Sequence, residues 1–175
     1  MDIIQGEFVK VVFSLGSNIG DRLHYLRQAA NGLEACGKIE SVSSVVESEP
    51  WGYDDSMPYL NAVLVLKTNW KPDQIYRLAA KIEVEAGRRR TKSKGYSSRT
   101  LDIDVLYYDG QKVLTEMLEI PHPRMHLRNF VLEPLAEIEP DFRHPLLDKT
   151  SEELLENSSD TSSVSYFSDF YDQKL

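Results

Sequence analysis

The 175-residue chain has a single cysteine, Cys36. That excludes an internal disulfide, and it fits a reducing compartment. Long apolar runs are missing too: none approaches the roughly 20 residues a membrane-spanning helix needs. The opening Met1-Asp2-Ile3-Ile4-Gln5-Gly6-Glu7 has neither a basic n-region nor an apolar h-region. No signal peptide is read there, and a cytoplasmic protein that does not engage membranes is expected. Positive charge is scarce as well. With 20 Lys and Arg against 28 Asp and Glu, the formal net charge is -8, which argues against a general nucleic-acid binder.

What is present suits one soluble domain with a core of its own. The acidity is uneven. Residues 151–175 hold six acids and one base, whereas Arg88-Arg89-Arg90-Thr91-Lys92-Ser93-Lys94 places five cations in seven residues. Residues 1–150 read as the working domain. Residues 151–175 read as an acidic, Ser-rich and aromatic tail with a linker-like start, in which Tyr166, Phe167, Phe170 and Tyr171 have helical spacing.

Val9 to Leu15 reads as a buried strand that ends at Gly16-Ser17-Asn18-Ile19-Gly20. Asp21 is a good N-cap for a helix whose apolar face is Leu23, Leu26, Ala30 and Leu33, with Gly37 at its end. Ile39 to Ser48 reads as one strand, Glu49 to Asp55 as a loop, and Tyr59 to Thr68 as a further strand. Pro72 opens a second helix with Ile75, Leu78, Ala79, Ile82 and Ala86 inward, and Gly87 stops it. The cationic loop and a strand from Leu101 follow. Asp109-Gly110 signals a hairpin to Gln111–Leu114, and short helical pieces follow Pro121-His122-Pro123. The order βαββαβ predicts an α+β fold: a ferredoxin-like antiparallel sheet with both helices packed on one face, plus a C-terminal hairpin and short helices.

The chemistry concentrates in Arg99-Thr100-Leu101-Asp102-Ile103-Asp104-Val105-Leu106. Strand alternation turns Leu101, Ile103 and Val105 one way and Asp102 and Asp104 the other, roughly 7 Å apart. Two carboxylates side by side on a strand repel each other, and a cation between them removes the conflict. Hard oxygen ligands with little else around them suit Mg²⁺, which completes its shell with water and phosphate. A carboxylate pair beside a cationic loop is what a polyphosphate nucleotide needs. Taken alone, an acidic pair on a strand is more often a solvated outer face, and a basic run is more often a solvated loop. The adjacency of the two is what points to chemistry.

Gly16-Ser17-Asn18-Ile19-Gly20-Asp21 is not a Walker loop, since the spacing differs and no Lys follows; its residues alone give a tight turn. Trp51 through Asn61 combines Trp51, Tyr53 and Tyr59 with an amide on a strand. Such a set can stack and read a flat heterocycle, and it reads equally as core aromatics with a strand-edge Asn. Two alternatives stand beside the nucleotide reading. One is an RNA-binding module of the same strand order, which would want aromatics where Asp102 and Asp104 stand. The other is a zinc site using His122 and His126, which has no convincing third ligand.

Taken together, Phe13-Ser14-Leu15-Gly16-Ser17-Asn18, Glu49-Pro50-Trp51-Gly52, Tyr59-Leu60-Asn61-Ala62, Gly87-Arg88-Arg89-Arg90, Arg99-Thr100-Leu101-Asp102-Ile103-Asp104 and Ile120-Pro121-His122-Pro123-Arg124 resemble the 6-hydroxymethyl-7,8-dihydropterin pyrophosphokinase family over about residues 9–147. The resemblance implies transfer of pyrophosphate from ATP to the hydroxymethyl group of a reduced pterin, releasing AMP, in folate synthesis. It implies two Mg²⁺ ions held by Asp102 and Asp104, and catalytic cations Arg88, Arg90, Lys92 and Arg99, the first three on a loop that closes over ATP. It implies nucleotide contacts from Glu83, Arg88, Arg99, His122 and Arg128, and a pterin site of Ser48, Trp51, Tyr59, Asn61 and Phe130. A monomer acting on small molecules, without nucleic acid or membrane, is expected. Ser48 stands where several relatives have Thr, Pro123 where some have Tyr, and the tail after Thr150 matches nothing in the family.

Overall fold

The structure is a computed structural model, and it describes residues 7–52, 57–88 and 98–171. β1 (Val9–Ser17) leads into α1 (Arg22–Leu33), β2 (Gly37–Val42), β3 (Val45–Ser48), β4 (Tyr59–Thr68) and α2 (Pro72–Glu85). β5 (Asp102–Tyr108) is followed by β6 (Val113–Leu114), β7 (Glu119–Ile120), α3 (Asn129–Ile138), α4 (Ser151–Glu156) and β8 (Val164–Ser168). The main sheet runs β5-β1-β4-β3-β8, with β2 also paired to β4, and all its ladders are antiparallel. This is the expected α+β architecture.

Strand alternation sorts the sheet into two faces. Val11, Phe13, Leu15, Ala62, Leu64, Leu66, Ile103 and Val105 pack on one side with Leu26, Ala29, Ala30 and Leu33 of α1 and Ile75, Ala79 and Ile82 of α2. Val12, Val63, Val65 and Leu106 lie on the other side with Val131 and Leu135 of α3. The helices begin where their caps put them. The His24 N–H donates to Asp21 Oδ1 at 3.1 Å, and Pro72 opens α2, where a missing N–H leaves nothing unmet.

Four local expectations change. The Ile39–Ser48 strand is broken at Ser43-Ser44, where the backbone of Ser44 bonds to side chains, its carbonyl accepting Ser43 Oγ at 2.7 Å, instead of to a strand. Ser43 Oγ accepts from the Val63 N–H at 2.9 Å, and Ser44 Oγ and N–H donate to the Glu137 carboxylate. Gly37 does not end α1; a 3₁₀ turn (Glu34–Cys36) intervenes and Gly37 begins β2. The turn at Asp109-Gly110 forms, with both residues at positive φ and the Gln111 N–H donating to the Tyr108 carbonyl at 2.8 Å. The segment after it nevertheless pairs with β7, not with β5. The aromatic tail is not helical: β8 extends the sheet beside β3, and Phe170 is 3% exposed in the core under the helices.

Candidate active site

α3 covers only part of its face of the sheet. Beyond its first turn, an open cleft lies on the same face. Ser14 and Gly16 of β1, Asn61 and Tyr59 of β4, Ser48 of β3 and Asp102 and Asp104 of β5 line it. Glu49, Trp51, Arg99, Arg128 and Phe130 complete the lining from loops and from the start of α3.

One half is an array of charge. Asp102 Oδ1 receives Arg99 Nη1 at 2.9 Å and Arg88 Nη1 at 3.1 Å. Arg88 is also paired with the carboxylate of Glu83, a residue only 8% exposed. Glu83 Oε1 in turn accepts the Ile103 N–H at 2.8 Å, so α2 grips β5 between the two aspartates. Burial raises the Glu83 pKa, the Ile103 N–H opposes that rise, Asp102 adds to it and Arg88 opposes it. Burial and the neighbouring Asp102 push the Asp104 carboxyl up to about 7, against the pull of Arg128 and Arg99.

His122 stands beside Asp104, with Nε2 3.8 Å from Oδ2. Burial, then Arg128 and Arg124, lower its pKa to about 4, so the ring is neutral near pH 7. Its Nδ1 accepts the Arg124 N–H at 3.2 Å, which leaves the ring proton on Nε2, toward Asp104.

The other half is flat and directional. Asn61 Nδ2 donates to Ser48 Oγ at 2.9 Å, which orients the amide. Gly16 pairs with Asn61 across the ladder, and a Cβ there would lie 3.2 Å from Asn61 Oδ1. Tyr59 pairs with Ser48. The Arg128 guanidinium lies over the Trp51 ring at 4.8 Å and the Phe130 ring at 5.6 Å.

Nine of the residues singled out in the sequence therefore line one cleft: Ser48, Trp51, Tyr59, Asn61, Arg99, Asp102, Asp104, Arg128 and Phe130. Arg88 touches Asp102, Glu83 reaches the site through Arg88 and the Ile103 N–H, and His122 flanks Asp104. Arg90 and Lys92 fall outside the described residues. Arg128, grouped with the nucleotide contacts in the sequence, lies against the aromatic half. His126 packs edge-on to His144, with ring centroids 6.1 Å apart.

The sequence reading passed over Ser14, Gly16 and Glu49, and it took Asn18 for part of a turn. Asn18 is fully buried and works as a clamp. Its Oδ1 accepts the Arg99 N–H at 2.8 Å, its N–H donates to the Arg99 carbonyl at 3.1 Å, and its Nδ2 reaches Ser98 Oγ at 3.2 Å. The available signal was a buried-type strand ending in an amide within Gly16-Ser17-Asn18.

Among the described residues, no three His, Cys, Asp or Glu side chains gather at one point. The protein thus offers two carboxylates on one strand face, a donor set that fits Mg²⁺ sharing its shell with phosphate and water and does not fit a closed zinc site.

Paired carboxylates braced by arginines, next to an aromatic slot with an oriented amide, define a phosphotransferase that handles a polyphosphate and a flat acceptor. A model of the 7,8-dihydro-6-hydroxymethylpterin-pyrophosphokinase (HPPK) family matches residues 12–140. The chain is 39% identical over 143 residues to the 2-amino-4-hydroxy-6-hydroxymethyldihydropteridine pyrophosphokinase of Aquifex aeolicus, covering 82% of this chain and 88% of that one. It is 45% identical over 127 residues to the Bacillus subtilis protein of the same name, covering 71% and 75%. Its fold is similar to that of Plasmodium falciparum HPPK-DHPS in a crystal structure, with a TM-score of 0.69 at 15% identity over 87% of this chain. It spans 44% of the length of that chain. The chain belongs to the HPPK family and is a pyrophosphokinase.

Proposed function

We propose that the cleft transfers the terminal pyrophosphate of ATP to the hydroxymethyl oxygen of 6-hydroxymethyl-7,8-dihydropterin, releasing AMP, as a step of folate biosynthesis. The observation that carries this is the meeting, in one cleft, of the Asp102/Asp104/Arg88/Arg99 array with the Asn61/Ser48/Tyr59/Phe130 slot.

The pterin lies in the aromatic half. Asn61 presents a donor and an acceptor to its edge, Ser48 holds that amide in place, Tyr59 and Phe130 flank the ring, and Trp51 frames it. Asp102 and Asp104 would hold two Mg²⁺ ions, which when bound supply charge neutralisation across the transferring group. Arg88 and Arg99 take the phosphate oxygens, joined by Arg90 and Lys92, with Arg128 at the junction of the two halves. Glu83 keeps Arg88 and β5 in register, and His122 offers Nε2–H beside Asp104 on the nucleotide side. The work of the side chains is to align the acceptor oxygen with the β-phosphorus and to spread the growing charge.

Residues 1–150 are the pyrophosphokinase unit, and residues 158–170, within the 151–175 tail, serve it as argued below. The protein acts as a cytoplasmic monomer on small molecules, without nucleic acid or membrane. No helix among the described residues is long and apolar enough to cross a membrane. The test is AMP release. It should appear only when ATP, Mg²⁺ and the hydroxymethylpterin are all present, and Asp102→Asn and Asp104→Asn should each lower it by at least about 100-fold. Near-normal turnover in both variants would overturn the assignment.

A further inference from the structure

The cleft leaves residues 157–171 without a part in the reaction, yet they touch two of its walls. The first is β3. This strand is four residues long and meets β4 through Val46↔Asn61, Glu47↔Leu60 and Ser48↔Tyr59. Two of those three pairs contain a residue of the aromatic half. With so few ladder bonds, β3 alone would be a loosely held edge. β8 makes it an interior strand, pairing Ser48 with Val164, Glu47 with Ser165 and Val46 with Tyr166.

The second wall is the start of α3. Its N-cap residue, Arg128, makes no side-chain capping bond to the helix, and Asp160 supplies the acceptor from 31 positions away. The Asn129 N–H donates to Asp160 Oδ2 at 2.8 Å, and Asn129 Nδ2 donates to the Asp160 carbonyl at 2.9 Å. A carboxylate at this end also complements the helix dipole. Asp160 is itself fixed, since the Ser162 N–H donates to its Oδ1 at 2.9 Å and its own N–H donates to Ser158 Oγ at 3.2 Å. The neighbours of Asn129 are Arg128 and Phe130, both in the cleft lining.

The far end of the segment is anchored by buried Phe170, whose carbonyl accepts Arg27 Nε at 2.8 Å. Asp102 and Asp104 sit on β5, at the opposite edge of the sheet, with β1 and β4 between β5 and β3.

We propose that residues 158–170 are a brace for the acceptor half of the cleft, with Asp160 and β8 setting the distance between the Arg128–Phe130 wall and the Ser48 wall. The brace rests on the assignment of the pterin to that half. Asp160 is a positioning residue in it, acting on the pterin through α3. A flat ring held between two walls is sensitive to their separation, whereas the charge array rests on other elements.

The test uses the full chain with Asp160→Ala, which removes the acceptor, and Asp160→Asn, which keeps an oxygen in its place. Asp160→Ala should raise the KM for the pterin by roughly five- to tenfold and leave the KM for ATP within about twofold, and Asp160→Asn, whose single oxygen can keep the Asn129 bond, should restore part of the loss. If Asp160→Ala leaves the pterin KM unchanged, or raises both KM values alike, the brace is overturned. Asn61→Ala, measured alongside, reports on the assignment itself: an unchanged pterin KM there would remove the pterin from this half. Amide exchange then judges the brace by itself, because exchange at Asn129 and at Val46–Ser48 should quicken in Asp160→Ala wherever the pterin binds, and unchanged exchange would overturn it.

Discussion

Asp104 shows how a single side chain links the site to stability. Burial and Asp102 hold its folded pKa near 7, above the ordinary carboxyl value of 3.8. Between about pH 4 and pH 7 the folded protein therefore binds more protons here than the unfolded chain does, and the stability tied to this group falls as pH rises. His122 and His144, both lowered to about 4 by burial, act in the opposite direction from about pH 4 to pH 6.5. A wild-type stability curve mixes these effects, and a difference separates them. Without metal, Asp104→Asn should gain on wild type steadily from about pH 4 to pH 7 and keep that gain above it, as urea midpoints in EDTA would show. A gap that does not change with pH would mean that Asp104 ionises as an ordinary carboxyl. The sequence made Asp102 and Asp104 legible because two-residue alternation with Leu101, Ile103 and Val105 fixes their face. It did not reveal Asn18, whose hold on Arg99 joins residues 81 positions apart. Nor did it reveal Glu83 as the grip on Ile103, which depends on where α2 lies over β5.

Elements were legible where one period ran unbroken. β4 occupies the expected Tyr59–Thr68, and α2 begins at Pro72 and ends just before Gly87. The misreadings came where local signals were correct and tertiary pairing decided. Ser43-Ser44 breaks a β-prone run, the strand after Asp109-Gly110 chooses β7, and of the aromatics with helical spacing Tyr166 and Phe167 lie on β8, because β3 has an edge to fill, while Phe170 and Tyr171 follow it. Gly37 shows the same dependence. It opens β2 opposite Thr68 in extended backbone, and a Cβ there would lie 2.2 Å from the Lys67 carbonyl oxygen and 2.6 Å from Leu66 Cδ2. The Lys67 carbonyl is backbone in the central β4 and has no rotamer by which to retreat. Gly37→Ala should therefore lower stability by about 1–3 kcal/mol, in spite of the lower chain entropy of alanine. Denaturant unfolding checks this, and a midpoint equal to wild type would mean that β2 shifts freely along β4.

At the scale of the molecule, the site sets arginines among carboxylates inside an acidic body of formal net charge -8. The body gives an anionic nucleotide no general attraction, so capture rests on the arginines. In the structure those arginines are engaged: Arg99 and Arg88 both meet Asp102 Oδ1, at 2.9 and 3.1 Å, and Glu83 holds Arg88 from behind. Mg²⁺ arriving alone must draw Asp102 away from two guanidinium groups and leave them without that anion. ATP arriving alone meets the Asp102 and Asp104 carboxylates. On the proposed assignment, with both present phosphate would take the arginines and the cation the carboxylates, so one exchange of partners would satisfy every charge. Each ligand should then strengthen binding of the other, and the coupling must be reciprocal. Full occupancy at about 100 times Kd is worth about 2.7 kcal/mol, or about 5–10 °C in thermal midpoint for a chain of this size. Mg²⁺ alone, or ATP in EDTA, should move the midpoint by no more than about 2 °C, and the two together should give the full shift. If the separate shifts simply add up to the joint one, the arginine–aspartate exchange is not what couples metal to nucleotide.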